Sequence, residues 1–442
     1  METVLLYVLG ILIILVGLVL SIGLHEIGHL VPAKRFGVKV SQYMIGFGPT
    51  IWSRKYGETQ YGVKALPLGG YISMAGMFPP ARKGAKPRTA STGFFEVLVQ
   101  DARTSSADKI MPGDEDRVFY KLAVWKRVIV MLGGPTMNLL IAIVLYAIVL
   151  VGFGLPQSTT TISSVSQCVL PSTSQQTECT DADDPAPAAA AGIQPGDRFV
   201  SIDGTPTDTW ESATAIIRAS PGQALDVVIE RDGTPMHVTL TPLLTERSVL
   251  DDKGAPVTLP DGTVKTEQVG VVGISSKLVS VPQPVTAVLP AVGDNIVGVV
   301  KVIITLPQRL WQVGEAAFGG GERDPNGPIG LVGIGRLAGE ITSLQEETVS
   351  DRAQTLIGMV ASLNVALFVF NLIPLMPLDG GHIAGALWEG LRRRVAKLFK
   401  RPDPGPVDTA RLVPVTIVVS GVLIVMTLLL VYADIVNPIT LL

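Results

Sequence analysis

Two histidines and a glutamate near the start of the chain have the spacing of a zinc-binding helix. His25 and His29 lie four residues apart, and residues four apart on a helix share one face. Both imidazoles can therefore reach one zinc ion, while Glu26 lies beside the metal as a general base. These residue types are suited to metal-assisted hydrolysis. They close an apolar run at residues 4–24, so we predict that the chemistry takes place inside a membrane helix.

The composition is typical of a multipass membrane protein with a soluble insert. The chain has 442 residues, of which 47% are hydrophobic and 17% are charged, and its mean hydropathy is +0.43. The net charge is only -3, and the basic residues do not form a nucleic-acid footprint. We therefore expect the lipid bilayer, and no nucleic acid, among the partners of the protein.

Four apolar segments are long enough to cross a bilayer, which requires about 20 residues. We predict transmembrane helices at residues 1–33, 128–155, 353–385 and 411–435. The alternative for the first segment is a secretory signal peptide. That alternative is disfavoured because Glu2 replaces a basic start and no small-residue cleavage site follows.

The orientation of these helices follows from the basic residues. The connections at 34–127 and 386–410 are rich in lysine and arginine, which predicts that both are cytoplasmic. The N-terminus and residues 156–352 are then expected on the outside.

One apolar stretch of the exterior part needs a separate interpretation. Within residues 286–352 it is interrupted by Pro290, Asp294 and Lys301, so we predict an extracytoplasmic amphipathic segment on the membrane surface. A fifth span at this place would reverse the direction of the span that follows.

Residues 156–285 have the pattern of a small α+β domain, with a core at about 160–242. The motif Ala-Gly-Ile-Gln-Pro-Gly-Asp, ending at Asp197, precedes the predicted elements. Asp203-Gly204 has the sequence of a turn, and Asp232-Gly233 has that of a hairpin turn. The predicted elements are strands at 198–202, 225–230 and 236–240 and a helix at 210–218. The pattern resembles a PDZ domain, whose sheet edge binds extended peptides, so we expect a peptide or a substrate ectodomain there. A different extracellular β module is the alternative.

The two cysteines of the chain, Cys168 and Cys179, both fall in the predicted exterior segment. An oxidising compartment lets a disulfide persist there. A free pair of thiols remains the alternative.

A catalytic zinc site usually has three protein ligands and one water, so a third ligand is needed. His237 falls in a predicted exterior strand, which leaves His382 and the carboxylates. Asp379 stands at the cytoplasmic end of the predicted third span, at a depth similar to that of the two histidines of the first span. A helix C-cap followed by Gly380 and Gly381 is the alternative for Asp379. We interpret His382 as a structural neighbour rather than a fourth ligand.

Together these motifs resemble the site-2 protease family, the zinc intramembrane metalloproteases that include bacterial RseP. The resemblance rests on the HExxH of the first span, the PDZ-like pattern and Asn-x-x-Pro-x-x-x-Leu-Asp-Gly, which begins at Asn371. Gly69-Gly70-Tyr71-Ile72 is similar to the membrane-associated β-loop of the family, and Gly-Gly-Pro-Thr-Met-Asn, ending at Asn138, also matches. A single clear PDZ pattern departs from the tandem pair of RseP, and the basic loop at 82–117 has no counterpart.

The resemblance implies a role for each residue of the site. Zinc would be held by His25, His29 and Asp379, and Glu26 would be the base that activates the attacking water. Asn371 is implied in substrate binding, although a helix–helix hydrogen bond remains open for it.

The resemblance also implies how a substrate is held. The β-loop, at about residues 60–77, would offer an edge strand to which an unwound substrate segment can pair. Gly69, Gly70 and Tyr71 are the expected substrate-binding residues of that strand.

We therefore expect a polytopic α-helical membrane protein with about four transmembrane helices, a membrane-associated β-loop and an extracytoplasmic PDZ-like α+β domain. The expected activity is that of a zinc-dependent intramembrane endopeptidase in a bacterial inner membrane. Its expected substrates are single-span membrane proteins, of the anti-sigma factor or remnant signal peptide type, in regulated intramembrane proteolysis. The alternative is a non-proteolytic metal-binding scaffold or transporter with a peptide-sensing PDZ domain, which would have no need of Glu26.

Overall fold

The chain folds into two compact units. The structure, a computed structural model, describes residues 2–79, 113–170, 183–249, 263–321, 327–344 and 347–440, with residues 176, 179, 180, 256, 257, 259 and 323–325 between them. One unit combines Met1–Phe153 with Pro284–Leu442, and the other is Gly154–Gln283. The predicted soluble insert at 156–285 therefore coincides closely with the second unit.

Helices and strands are numbered in chain order. The helices are α1 (Glu2–Arg35), α2 (Val124–Ala147), α3 (Pro187–Ala190), α4 (Trp210–Ala219), α5 (Val288–Gly319), α6 (Leu331–Ser343), α7 (Val349–Asn371), α8 (Asp379–Leu398) and α9 (Val413–Val436). The strands are β1 (Val40–Tyr56), β2 (Thr59–Met74), β3 (Leu155–Val165), β4 (Arg198–Ile202), β5 (Thr205–Pro206), β6 (Leu225–Arg231), β7 (Thr234–Leu240), β8 (Leu243–Ser248), β9 (Thr266–Val271) and β10 (Ile274–Val281).

Helices α1 and α2 pack with their backbones in contact. A Cβ added to Gly28 would lie 2.2 Å from the carbonyl oxygen of Gly133, and a Cβ added to Gly133 would lie 1.9 Å from that of Gly28. Small residues allow this approach, which is a common means of helix association in membranes. The helices run in opposite directions, because His25 of α1 meets Asn138 further along α2.

Helix α7 runs parallel to α1 along another face. Gly17 lies against Val360, and one turn further on Ser21 accepts a hydrogen bond from Asn364, whose Nδ2 lies 2.8 Å from the serine oxygen. The side chain of Asn364 is fully buried. Its amide therefore fixes the register of α7 on the helix that carries the HExxH motif.

Five helices among the described residues are long and apolar enough to cross a membrane. They comprise the predicted four and a helix at Val285–Gly319. Near its start, Val288 and Val292 belong to an apolar cluster with Leu150, which lies in a short π-helix directly after α2. Near its end, Val313 and Ala317 cluster with Leu430 at the end of α9. The interpretation of this segment as an amphipathic surface helix stays a prediction.

The ends of α2 and α9 lie on the same side of their unit as the start of α1. Asp434 of α9 accepts hydrogen bonds from Gly333 of α6, and Thr342 of α6 donates to the carbonyl of Leu6 in α1. Since α2 is antiparallel to α1, its end lies on this side as well. Both ends of α5 therefore contact the same side of the unit.

The predicted third span is not one continuous helix to residue 385. Helix α7 ends at Asn371 and α8 begins at Asp379, with Pro374 and Pro377 in the non-helical link. Proline lacks an amide donor and disfavours a helical conformation in the residue before it, which explains the break. The segment expected as a basic loop at 386–410 is helical as far as Leu398.

A long β-hairpin follows α1, and it is larger than the predicted loop at 60–77. Its first strand, β1, was missed because Gly46, Gly48 and Pro49 interrupt the apolar alternation, and the register shifts across these residues. Residues 42–45 of β1 pair with residues 70–73 of β2 on one side and with residues 60–63 on the other.

The end of the basic loop at 82–117 anchors this hairpin. Residues 80–112 lie outside the described part of the chain. Of the remainder, Asp114 forms an ion pair with Lys39, and Arg117 binds Glu58 at the hairpin turn through two hydrogen bonds of 2.7 and 2.8 Å.

The second unit contains a six-stranded sheet in the order β10-β3-β4-β6-β7, with β5 paired to β4. The predicted strands, the helix α4 and the turns at Asp203-Gly204 and Asp232-Gly233 are confirmed, and all four turn residues have positive φ. Phe199, Ile229 and Leu240 are fully buried in its core. The assignment as a PDZ domain stays a prediction.

The predicted core at 160–242 omits one strand of that sheet. Strand β10 returns to pair with β3, and β9 pairs with β8. The sequence Pro260-Asp261-Gly262 predicts a further hairpin turn, which lies outside the described residues. Cys168 and Cys179 form a disulfide, as expected for an exterior unit.

Candidate metal centre

Three side-chain atoms of the first unit form a nearly equilateral triangle. The Nε2 atoms of His25 and His29 are 3.2 Å apart, and they lie 3.3 and 3.2 Å from Oδ2 of Asp379. Ligand atoms at the corners of a tetrahedron around zinc, with bonds of 2.0–2.1 Å, would be about 3.3 Å apart. The triangle therefore has the dimensions of one face of a tetrahedral zinc site.

The donor set also fits a zinc ion. Within the described residues, His25, His29 and Asp379 are the group of His, Cys, Asp and Glu side chains that could hold a metal ion. Asp379 Oδ2 is buried and has no hydrogen-bond partner among these residues. Two imidazole nitrogens and a carboxylate oxygen that converge in this way are a suitable set of zinc ligands.

Helix α2 orients the first two ligands from behind. Nδ1 of His29 lies 2.8 Å from the carbonyl oxygen of Val130, to which it can donate its proton, so that Nε2 keeps a free lone pair. This tautomer is the one that zinc requires.

Asn138 of α2 orients the imidazole of His25 in the same way. Its amide nitrogen is placed 3.1 Å from Nδ1 of His25, and its Oδ1 is buried without a partner. Amide nitrogen and oxygen are assigned from the hydrogen-bond network, and exchanging them lets Oδ1 accept the Nδ1 proton of His25. This orientation satisfies the buried oxygen and leaves Nε2 of His25 available to a metal.

Gly134 brings α2 directly against both imidazoles. A Cβ at this position would lie 2.2 Å from Nε2 of His29 and 2.7 Å from Nε2 of His25. Any side chain at residue 134 would thus enter the space of the metal ligands.

Asp379 is the first residue of α8 and does not cap the end of the third span. The sequence alternative of a C-cap is therefore wrong, because the proline-containing link ends one helix and starts another. Gly380 and Gly381 pack closely against this link, since a Cβ on either would lie within 2.7 Å of backbone atoms of Ile373 or Met376. These contacts fix the first turn of α8 and the carboxylate on it.

Glu26 lies between the ligand helix and the β-hairpin. Its side chain is buried, and a Cβ added to Gly70 of β2 would lie 2.8 Å from its Cγ atom. Next to it, Gly69 has a φ of +141°, and Tyr71 stacks on Phe47 and donates a hydrogen bond to Gln42. The predicted substrate strand is therefore adjacent to the predicted base.

Two residues singled out in the sequence lie outside the triangle. Nδ2 of Asn371 donates to the carbonyl of Leu367 in its own helix, at 2.9 Å, and the described residues show no bond from it to another helix. Its role in substrate binding stays a prediction. His382 follows on α8, and it does not belong to the group that could hold a metal.

Sequence reasoning did not assign roles to Asn138 and Gly134, although the motif that contains them was noted. The available signal was a buried amide within an otherwise apolar membrane helix. Such a residue is costly in lipid unless it has a partner.

An HExxH helix whose metal triangle is completed by an aspartate of another helix defines a zinc metallopeptidase centre built into membrane helices. The chain belongs to peptidase family M50, the site-2 protease family, which it matches over residues 13–401.

The relatives of the chain agree with this family. It is 36% identical to the zinc metalloprotease Rip1 of Mycobacterium tuberculosis over 447 residues, which cover 98% of this chain and 99% of that protein. It is 35% identical to Rip1 of Mycolicibacterium smegmatis, with 98% of both chains covered. The metalloprotease MmpA of Caulobacter vibrioides is 28% identical over 87% of this chain and 89% of its own length. The protein is thus a membrane-bound zinc metalloendopeptidase of the site-2 protease type.

Proposed function

We propose that this endopeptidase cleaves single-span membrane proteins within or near the bilayer, and that anti-sigma factors or remnant signal peptides are its substrates. The observation that carries the proposal is the contact between Gly70 and Glu26. It supports a reaction in which a peptide strand on the hairpin edge lies beside the general base.

Each residue of the centre has a defined task in the proposed reaction. His25, His29 and Asp379 would hold the zinc, which would supply an acidified water molecule and polarisation of the scissile carbonyl. Glu26 accepts a proton from the attacking water and delivers it to the departing amide nitrogen. Asn138 keeps the imidazole of His25 in the tautomer that can bind metal.

The hairpin edge offers hydrogen-bond partners to the backbone of an unwound substrate. A helical substrate has its carbonyls hydrogen-bonded, so it must become extended before it can be cut. Residues 70–73 pair with β1 on one side, and the described residues provide no partner on their other side. A strand added there would regain the backbone hydrogen bonds that it loses on unwinding.

We place the protein in the bacterial inner membrane with its N-terminus and Gly154–Gln283 outside. The basic connections between the spans support this orientation. The disulfide of the second unit agrees with an oxidising exterior. Since both ends of α5 contact the same side of the first unit, the contacts also support four crossings rather than five.

The second unit would act on substrate choice and not on bond breaking. If it lies across the membrane from the metal, it can affect cleavage only through the substrates that it admits. A PDZ-like sheet edge suits a peptide or a substrate ectodomain as its ligand.

A cleavage assay on a reporter single-span substrate tests the proposed function. Glu26→Gln keeps the size of the side chain but removes the base, so we expect cleavage to be lost while zinc stays bound. Glu211→Gln, an exposed residue of α4, is the matched control and should cleave normally. Absence of cleavage by the native chain would favour the scaffold or transporter alternative, and equal cleavage by the native chain and Glu26→Gln would exclude Glu26 as the base.

A further inference from the structure

Helix α8 carries an apolar stripe that the described part of the protein does not cover. Leu387, Leu391, Val395 and Leu398 recur at intervals of four, four and three residues and share one face. Together with Trp388 they are exposed, by 56% for Trp388 and 78% for Leu398. An apolar stripe of this kind is unfavourable in water.

Basic residues flank this stripe and continue past the end of the helix at Leu398. Within residues 392–401, Arg393 is engaged in ion pairs with Glu389 and Asp403. The remaining basic side chains have no ion pair among the described residues. They are Arg392, Arg394, Lys397, Lys400 and Arg401. An apolar stripe flanked by basic residues is typical of a helix that lies in the interface of an anionic bilayer.

Buried contacts place α8 at the boundary of the membrane helices. Glu389 is fully buried, forms an ion pair with Arg127 near the start of α2, and accepts a 2.9 Å hydrogen bond from the amide of Val407. A Cβ on Gly385 would lie 3.3 Å from Thr409, just before α9 begins. The stripe therefore begins at the level where the apolar helices α2 and α9 start.

We propose that the second half of α8 binds anionic phospholipids, with its apolar stripe at the boundary between headgroups and acyl chains and its basic side chains on the phosphates. That the leaflet is the cytoplasmic one rests on the orientation in the proposed function; the lipid contact itself does not. Charge complementarity is the reason for choosing an anionic lipid, because the stripe alone would suit any bilayer.

Trp388 provides a probe for this contact in the complete protein. The zinc-loaded chain is placed in nanodiscs of phosphatidylcholine and phosphatidylglycerol, in which one lipid at a time carries brominated chains that quench tryptophan fluorescence. Comparison with Trp388→Phe isolates the quenching at this residue. We expect brominated phosphatidylglycerol to quench Trp388 more strongly than brominated phosphatidylcholine, and the difference to shrink at high salt.

Two matched double variants test the charge on the helix. Arg394→Ala with Lys397→Ala should lower the preference of Trp388 for phosphatidylglycerol by about fivefold for each basic residue removed. Lys265→Ala with Lys277→Ala removes the same charge from the second unit and should leave the preference unchanged.

Three results would overturn the proposal. Equal quenching by both brominated lipids would remove the anionic preference. Absence of quenching at Trp388 would mean that a protein partner or a second copy covers the stripe. An equal loss of preference in both double variants would assign the effect to net charge rather than to α8. The comparison of the two lipids needs only Trp388→Phe, so it remains decisive if a charge variant fails to fold.

Discussion

Gly70 and Glu26 are in contact across the gap between the β-hairpin and α1, and the position of Gly70 has room only for hydrogen. A Cβ there would lie 2.8 Å from Cγ of Glu26 and 3.1 Å from a methyl group of Ile22. The open edge of the hairpin is thereby held next to Glu26, the general base. A scissile bond paired to this edge would lie near Glu26 without any further movement of the protein.

Gly70→Ala should abolish most of the cleavage without removing zinc. The added methyl group must displace Glu26 or the strand, and a shift of about 1 Å at a reacting group can lower the rate by about 100-fold. Gly358→Ala in α7 is the control, because its Cβ meets nothing within 4 Å. Cleavage rates and zinc content are measured for both variants. Normal cleavage by Gly70→Ala would show that the contact between the hairpin edge and Glu26 is not needed for the reaction.

Asp379→Ala should lower zinc affinity by at least about 100-fold, since it removes one of three ligands from the triangle. Elemental analysis of the purified protein and competition with a chelator measure the effect. Asp208→Ala, an exposed position in the second unit, should retain zinc fully. Full zinc occupancy in Asp379→Ala would assign the third ligand to another residue.

Asn138→Ala should lower zinc affinity by about 10- to 100-fold, the usual effect of losing a partner that orients a histidine ligand. The half-buried amide of Asn295, which reaches Ser362 within the same unit, offers a control of the same residue type. Chelator competition on Asn295→Ala should match the native chain. Equal affinities in all three proteins would show that His25 is oriented without Asn138.

Deletion of Gly154–Gln283 should permit cleavage of a substrate that still carries its outer domain, while a trimmed substrate is cleaved as before. A Cβ on Gly154 would lie 2.4 Å from the backbone of Val281, so a short Gly/Ser linker can join the ends. A smaller deletion ending at residue 242 would leave β10 without β3. Gel-based cleavage of both substrates is the measurement, with zinc content as the control for folding. If the deletion variant still does not cleave the untrimmed substrate, the second unit does not exclude such substrates. If it no longer cleaves the trimmed substrate, the second unit recruits or positions the substrate instead.

The second unit should lose stability in acid because of Asp197. Two hydrogen bonds from Arg231, of 2.7 and 2.8 Å, hold the pKa of this buried carboxyl below its usual value. A lowered folded-state pKa stabilises the fold above the unfolded-state pKa of about 3.9, and the stabilisation is lost as the pH falls through the folded-state pKa.

Hydrogen exchange of β4 in the complete chain measures this dependence. Protection should be constant near neutral pH and should decrease below about pH 4. Asp197→Asn should be less stable by about 2 kcal/mol at neutral pH and should show a weaker acid dependence. Asp208→Asn should keep the native profile. An unchanged acid profile in Asp197→Asn would place the sensitive group elsewhere.

Patterns within a few consecutive residues were sufficient to predict several helices, strands and turns. The apolar runs gave the helices that hold His25 and Asn371, and the turns at Asp203-Gly204 and Asp232-Gly233 bounded the strands of the second unit. Each of these signals lies within a few consecutive residues. Helical spacing was likewise enough to put His25 and His29 on one face.

Features that depend on distant residues could not be predicted in this way. Asp379 reaches the histidines only because a proline-containing link starts a new helix, whereas the sequence suggested one continuous span. The role of Asn138 depends on a glycine contact between α1 and α2 that no local pattern encodes. Strand β1 contains breaker residues at 46–49, and its residues 42–45 pair on both sides with segments of β2 that lie further along the chain.

The division of the metal ligands along the chain has a consequence for biosynthesis. A nascent chain that has been synthesised through α2 already contains both histidines and the groups that orient them. The third ligand is made only after Gly154–Gln283, α5 and α7 have followed. Because domains generally fold in order from the N-terminus during synthesis, the second unit can fold before the metal centre is complete. The second unit can therefore be folded before the chain becomes a competent protease.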